Sequence, residues 1–173
     1  NIYVIVEGEK AAKAIYSKWI TYANNSLIPV DYIDQVQDNN FIVYAGKGLP
    51  SFWEHVKQSI CDVNSISEFD RLVIAVDSEN ASREQRLSHV KDLLQQTPCH
   101  KEVKIIIQHF CMETWFLGDV TAFRKKPNDL ELINYMRLFN VRQGDPEDFP
   151  PYNPKNWNRA QFAYYYFRAG LHD

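Results

Sequence analysis

Two acidic motifs stand where apolar runs give way to polar turns. Val6-Glu7-Gly8 closes the run Ile2–Val6, and Val76-Asp77-Ser78-Glu79 closes the run Arg71–Val76. Asp77 and Glu79 are two residues apart, so in extended backbone both side chains point to one side. If the two runs are neighbouring strands, three carboxylates converge. Crowded carboxylates repel one another, and desolvation adds to the cost. A hard divalent cation relieves both. Mg²⁺ takes few carboxylates, keeps several waters and typically binds substrate phosphate as well; it polarises a phosphoryl oxygen and helps generate hydroxide. Glu7, Asp77 and Glu79 are therefore the candidate metal ligands, with Mg²⁺ or Mn²⁺ as the cation. A competing account makes Glu7, Glu9, Asp77 and Glu79 simple helix caps that satisfy free N–H groups.

Other residues fit the same chemistry. Glu113 follows another strand-like segment, Val103–Ile107, and is an accessory acid or an orienter of water. His109 and Glu113 are four apart and would share a face if one helix carried both; a strand-end His that bonds only to backbone is the alternative. Lys47, in Gly46-Lys47-Gly48, offers a point charge and turn amides to a phosphate, or forms a tight turn only. It is no Walker A loop, because the spacing is absent. Arg83 and Arg86 follow the Asp-x-Glu turn and could hold a phosphodiester, or lie on a solvated helix face. The run Arg124-Lys125-Lys126 is either a backbone contact for nucleic acid or a surface turn before Pro127. Tyr164-Tyr165-Tyr166-Phe167 cannot all face inward on one helix. Core packing plus a protein or homo-oligomer interface accounts for them better than base stacking, with Trp157 as a further stacking candidate.

The elements that must position these residues alternate. The run Ile2–Val6 is continuously apolar, as in a strand buried on both faces; Arg71–Val76 reads as a second strong buried strand, and Phe41–Tyr44 and Val103–Ile107 as further strands. Helical spacing links Ala12, Ile15, Trp19, Tyr22 and Ala23. It also links Leu49, Phe52, Trp53, Val56 and Ile60, and then Leu87, Val90 and Leu94. A further helix starts at Met112. Residues 27–40 are harder to read, with a short strand around Pro29–Ile33. This order predicts an α/β domain with a mostly parallel sheet flanked by helices. In such sheets ligands collect beyond the carboxyl ends of the strands. From about Lys125 the chain changes character. Leu130–Leu138 and Arg159–Gly170 read as helices, separated by a loop over Gly144–Lys155.

Composition bounds the partners. The chain has 173 residues and a net charge of 19 − 22 = −3, so it does not bind nucleic acid by bulk electrostatics. The 45% apolar content excludes wholesale disorder. No run is long enough to span a membrane. Cys61, Cys99 and Cys111 are odd in number and widely spaced, which argues against disulfides or a zinc knuckle and suggests a reducing cytoplasm. The chain begins at Asn1 and ends at Asp173 without a stop signal, so a longer parent chain is one expectation.

The order and context of these motifs resemble the TOPRIM domain. That domain is shared by type IA and type II topoisomerases, bacterial primases, recombination-repair proteins and OLD-family nucleases. The matching residues are Val6-Glu7-Gly8 and Val76-Asp77-Ser78-Glu79, with Glu79 where the family usually has a second Asp. The likeness covers roughly residues 2–119. It implies a four-stranded, Rossmann-like parallel sheet with a Mg²⁺ site on these acids. Cys111-Met112-Glu113-Thr114-Trp115-Phe116-Leu117-Gly118-Asp119 is similar to the Glu-x-Trp-x-Leu segment of small TOPRIM-like proteins near bacterial anti-phage systems, and adds Glu113 to the acids. There is no separate domain for a topoisomerase tyrosine and no zinc-binding set for a primase. The expectation is a TOPRIM-like domain over residues 1–124 and a C-terminal helical extension over 125–173. Its expected function is a metal-dependent nuclease for DNA or RNA, with anti-phage defence implied by the likeness. The alternatives are a non-catalytic module for a partner protein or nucleotide, and a phosphohydrolase for a small molecule.

Overall fold

A computed structural model describes residues 1–173. The elements run β1 (Ile2–Val6), α1 (Lys10–Ala23), β2 (Ile28–Pro29), β3 (Asn40–Ala45), α2 (Phe52–Ser65), β4 (Arg71–Asp77), α3 (Arg83–Gln96), β5 (Glu102–Gln108), α4 (Met112–Leu117), α5 (Leu130–Leu138) and α6 (Arg159–His172). Short 3₁₀ turns lie at Ile33–Gln35, Pro146–Asp148 and Asn153–Lys155, the last two inside the segment read as a loop.

The sheet is parallel and ordered β2-β3-β1-β4-β5. It has five strands rather than four. The extra one, β2, pairs only Ile28 with Asn40 and Pro29 with Phe41. Pro29 has no N–H to extend a ladder, which keeps such a residue at a sheet edge. Central β1 pairs with β3 on one side and β4 on the other, with Val6 opposite both Ala45 and Ala75. Tyr3 and Ile5 join a core with Phe52, Val56 and Ile60 of α2 and Val90 and Leu93 of α3. Val4 and Val6, on the opposite face, are equally buried. Burial of both faces is why β1 reads as unbroken apolar sequence.

The strand order reverses at β1. The chain leaves β1 for β2 and β3 on one side, then crosses to β4 and β5 on the other. Sheets of this kind place their ligand crevice at such a switch, beyond the carboxyl ends of the strands.

The chain divides into two compact units. One comprises Asn1–Val76 and Leu87–Ile107; the other comprises Asp77–Arg86 and Gln108–Asp173. The expected boundary after residue 124 thus falls inside the second unit. That unit has its own core of Phe110, Leu117, Phe123, Leu132, Tyr135, Phe149, Phe162 and Tyr166. No helix is long and apolar enough to cross a membrane.

Candidate functional site

Within the second unit, β4 ends at Asp77 and the chain turns at once. Ser78 N–H donates to the Gln108 carbonyl at 2.9 Å, and Glu79 N–H to the Phe110 carbonyl at 2.8 Å. Ala81 N–H closes a turn onto the Ser78 carbonyl at 2.9 Å, and the Arg86 guanidinium donates to the same oxygen at 3.2 Å. Glu79 takes a φ of 50°, in the left-handed region that residues other than glycine adopt uncommonly. Asp77-Ser78-Glu79 is therefore not the extended triplet that the two-residue spacing implies. Hydrogen bonds to the end of β5 and to its own next turn override strand periodicity, and they leave the Glu79 side chain exposed.

Ser78 is wholly buried, and its Oγ lies 2.7 Å from His109 Nδ1. His109 follows β5, precedes α4 and packs against the Phe110 ring at 3.9 Å between centroids. It shares no helix with Glu113, so the four-residue spacing does not pair them. Burial lowers the His109 pKa, and the Arg83 cation adds to this; Glu147 opposes it, and Arg159 lowers it further. The imidazole is accordingly neutral near pH 7. Arg83 is ion-paired with Glu147. Glu113 lies half-buried in the first turn of α4. Burial, helped by Glu113, pushes the neighbouring Cys111 thiol up to about 12, so Cys111 is no nucleophile at neutral pH.

In the sheet unit Glu7 is buried, at 8% exposure, and its N–H donates to the Ala75 carbonyl at 2.8 Å. Its backbone thus lies beside β4, two residues short of the end of that strand. Lys47 is exposed at a φ of 59°. The turn amides that a phosphate would need are already engaged. Gly46 N–H donates to the Val6 carbonyl at 2.8 Å and Lys47 N–H to the Gly8 carbonyl at 2.9 Å. The Lys47 ammonium is the group this turn offers to an anion. It borders a cleft of about 310 Å³ with Tyr3, Tyr44, His55, Gln58 and Asp62.

The N-cap of α3 is Ser82 rather than either acid of the Asp77–Glu79 turn. Ahead of α3, Gln85 N–H donates to Ser82 Oγ at 3.1 Å and Ser82 N–H to Gln85 Oε1 at 2.9 Å, a reciprocal capping box. Glu9 holds the N-cap position of α1 and makes no side-chain cap bond. Of the remaining candidates, Arg124 faces Asp173 at 3.8 Å, while Lys125 and Lys126 are exposed. The aromatic run divides as helix geometry requires. Tyr166 is buried, Phe167 half-buried, and Tyr164 and Tyr165 exposed, with Tyr165 stacked on Trp157 at 3.9 Å.

Three contributors escaped the sequence. Ser78 is a small residue between two acids, and its partner lies 31 positions away. Glu147 and Arg159 come from segments with no motif. No group of three or more His, Cys, Asp and Glu side chains is gathered closely enough to hold a metal ion. No family model matches the chain, and comparisons with curated proteins and with solved structures find no significant similarity.

Proposed function

We propose that this chain is a divalent-cation-dependent phosphodiester hydrolase acting on DNA or RNA. In this reading Glu7, Asp77 and Glu79 hold the cation and Glu113 is an accessory acid. The observation that carries it is the strand order. β1 and β4 are hydrogen-bonded parallel neighbours at the topological switch; Glu7 directly follows the last residue of β1, and Asp77 is the last residue of β4. Ligands of open α/β sheets bind at that place. The capping box at Ser82 and Gln85 adds support, because it puts the N-cap of α3 at Ser82, three residues beyond Glu79.

The side chains form no ready three-ligand cage. Mg²⁺ rarely needs one, since one or two carboxylates plus waters and substrate phosphate commonly complete its shell. Such an ion supplies Lewis-acid polarisation of the phosphoryl oxygen. The chain's own part is positional. Ser78, Arg86 and the carbonyls of Gln108 and Phe110 pin the turn that carries Asp77 and Glu79. A TOPRIM relationship rests on the motif resemblance alone, and anti-phage defence on the likeness of the segment around Glu113.

The test is cleavage of plasmid, single-stranded DNA and RNA with and without Mg²⁺ or Mn²⁺. Metal-stimulated cleavage is expected from the wild type and is expected to disappear in both Glu7→Gln and Asp77→Asn. Equal cleavage by wild type and variants would refute the assignment. A second reading, a non-catalytic nucleotide-binding module, is favoured by the cleft beside Lys47, whose volume lies near the lower end for small-molecule sites. It predicts no cleavage, and stabilisation by a mononucleotide that Lys47→Ala abolishes.

A further inference from the structure

Arg159 opens α6 and is exposed. It makes no ion pair and no hydrogen bond within the chain, yet it is not loose. Its guanidinium carbon sits 5.2 Å from the centre of the Phe110 ring. Cation–π contact of this kind favours arginine and holds the head group in place without consuming its in-plane donors. His109 leans on the same ring. Its Nδ1 is taken by the buried Ser78 hydroxyl. With Oγ–H as the donor, Nε2 carries the ring proton and is itself a donor. Arg83, the other cation close enough to influence the imidazole, is already matched by Glu147. Arg159 therefore has the uncommitted charge of the group, fixed beside a neutral donor whose orientation a buried side chain sets.

We infer that Arg159 and His109 together hold a phosphodiester oxygen of a nucleic-acid strand, Arg159 by charge-assisted hydrogen bonds and His109 through Nε2–H. The identity of the ligand rests on the hydrolase reading above. The pair itself lies outside the acidic motifs and requires no metal. Both residues are positioning residues, because neither supplies a reacting atom. Guanidinium groups suit this task through their planar, forked donors.

The experiment is fluorescence anisotropy of a labelled single-stranded DNA oligonucleotide with the full chain in EDTA at pH 8, over a series of KCl concentrations. Arg159→Ala is expected to weaken binding about tenfold, as for a lost hydrogen bond to a charged group. It also flattens the slope of log K against log salt by about 0.7, the share of one phosphate on a single strand. Arg159→Lys restores the slope. His109→Ala weakens binding about two- to tenfold without changing the slope, because a neutral donor releases no counterion. Arg168→Ala, which removes an exposed charge further along α6, leaves affinity near wild type. Thermal melts establish that each variant is folded.

Wild-type affinity and slope in Arg159→Ala overturn the inference, as does an equal loss in Arg168→Ala or a wild type that binds no oligonucleotide. Inorganic phosphate serves as a competing probe. If it binds with the same dependence on Arg159 while the oligonucleotide does not, the polymer assignment is overturned in favour of a small phosphoester. If Arg159-dependent binding persists in EDTA but no metal brings about cleavage, the inference stands and the hydrolase reading falls. If cleavage occurs with wild-type binding in Arg159→Ala, the opposite holds.

Discussion

The Ser78 hydroxyl is fully buried and spends its hydrogen bond on His109. Ser78→Ala removes that partner and frees the ring to rotate. The expected cost is about 1 kcal/mol, read from urea unfolding. His109 also has a pH signature. Its pKa lies below the ordinary histidine value because burial and nearby arginines disfavour the cation. Below about pH 6.5 the unfolded chain takes up a proton that the folded chain resists. This contribution to stability is therefore present above that pH and is lost as pH falls through the window beneath it. His109→Gln is expected to flatten the fall in unfolding free energy between about pH 7 and 5, measured by denaturant titration at each pH. An unchanged pH profile in the variant would show that His109 does not set it.

At the level of elements, the ends of strands and helices are held by particular atoms. The Asn158 side chain accepts from Gln161 N–H at 2.8 Å, and Gln161 Oε1 accepts from Asn158 N–H at 3.0 Å, so a full capping box starts α6 and fixes where Arg159 emerges. Asn158→Ala is expected to cost about 1 kcal/mol in chemical denaturation, and to weaken oligonucleotide binding if Arg159 is the phosphate contact. Gly46, after β3, has a different constraint. A Cβ there would lie 2.3 Å from Cδ2 of Phe52, a wholly buried ring at the start of α2. Overpacking of this kind costs about 1–3 kcal/mol. Gly46→Ala is expected to lower the denaturation midpoint accordingly, whereas Gly48→Ala meets no atom within 4 Å and is strained only by its φ of 75°.

At the scale of the whole molecule, two cores hold two compact units, and a ligand of the native state stabilises the fold by mass action. A cation bound by the folded chain and not by the unfolded one adds about 2.7 kcal/mol at a hundredfold excess over its dissociation constant. Calorimetric melting with increasing Mg²⁺ or Mn²⁺ is expected to show a rising Tm in the wild type and none in Asp77→Asn. A rise of equal size in both would move the cation away from the end of β4.

Much of the architecture was legible residue by residue. The run Ile2–Val6 announced a strand covered on both faces and Arg71–Val76 a second buried strand, Met112 was read as the start of its helix, and Leu130–Leu138 matched its helix end to end. Hydrophobic periodicity is a local property, and local sequence carries it in full. The two-residue β2 was only hinted at, because a strand that short has no periodicity to detect. The acids at the ends of β1 and β4 were visible as residue types, and their placement at adjoining strands depended on a strand order that no window of sequence contains. Only the tertiary structure took Glu79 out of extended backbone, engaged the amides of Gly46 and Lys47, and brought Ser78, His109, Glu147 and Arg159 into one neighbourhood. Contacts between residues tens of positions apart are set by the packing of whole elements, and packing leaves no local signature in the chain.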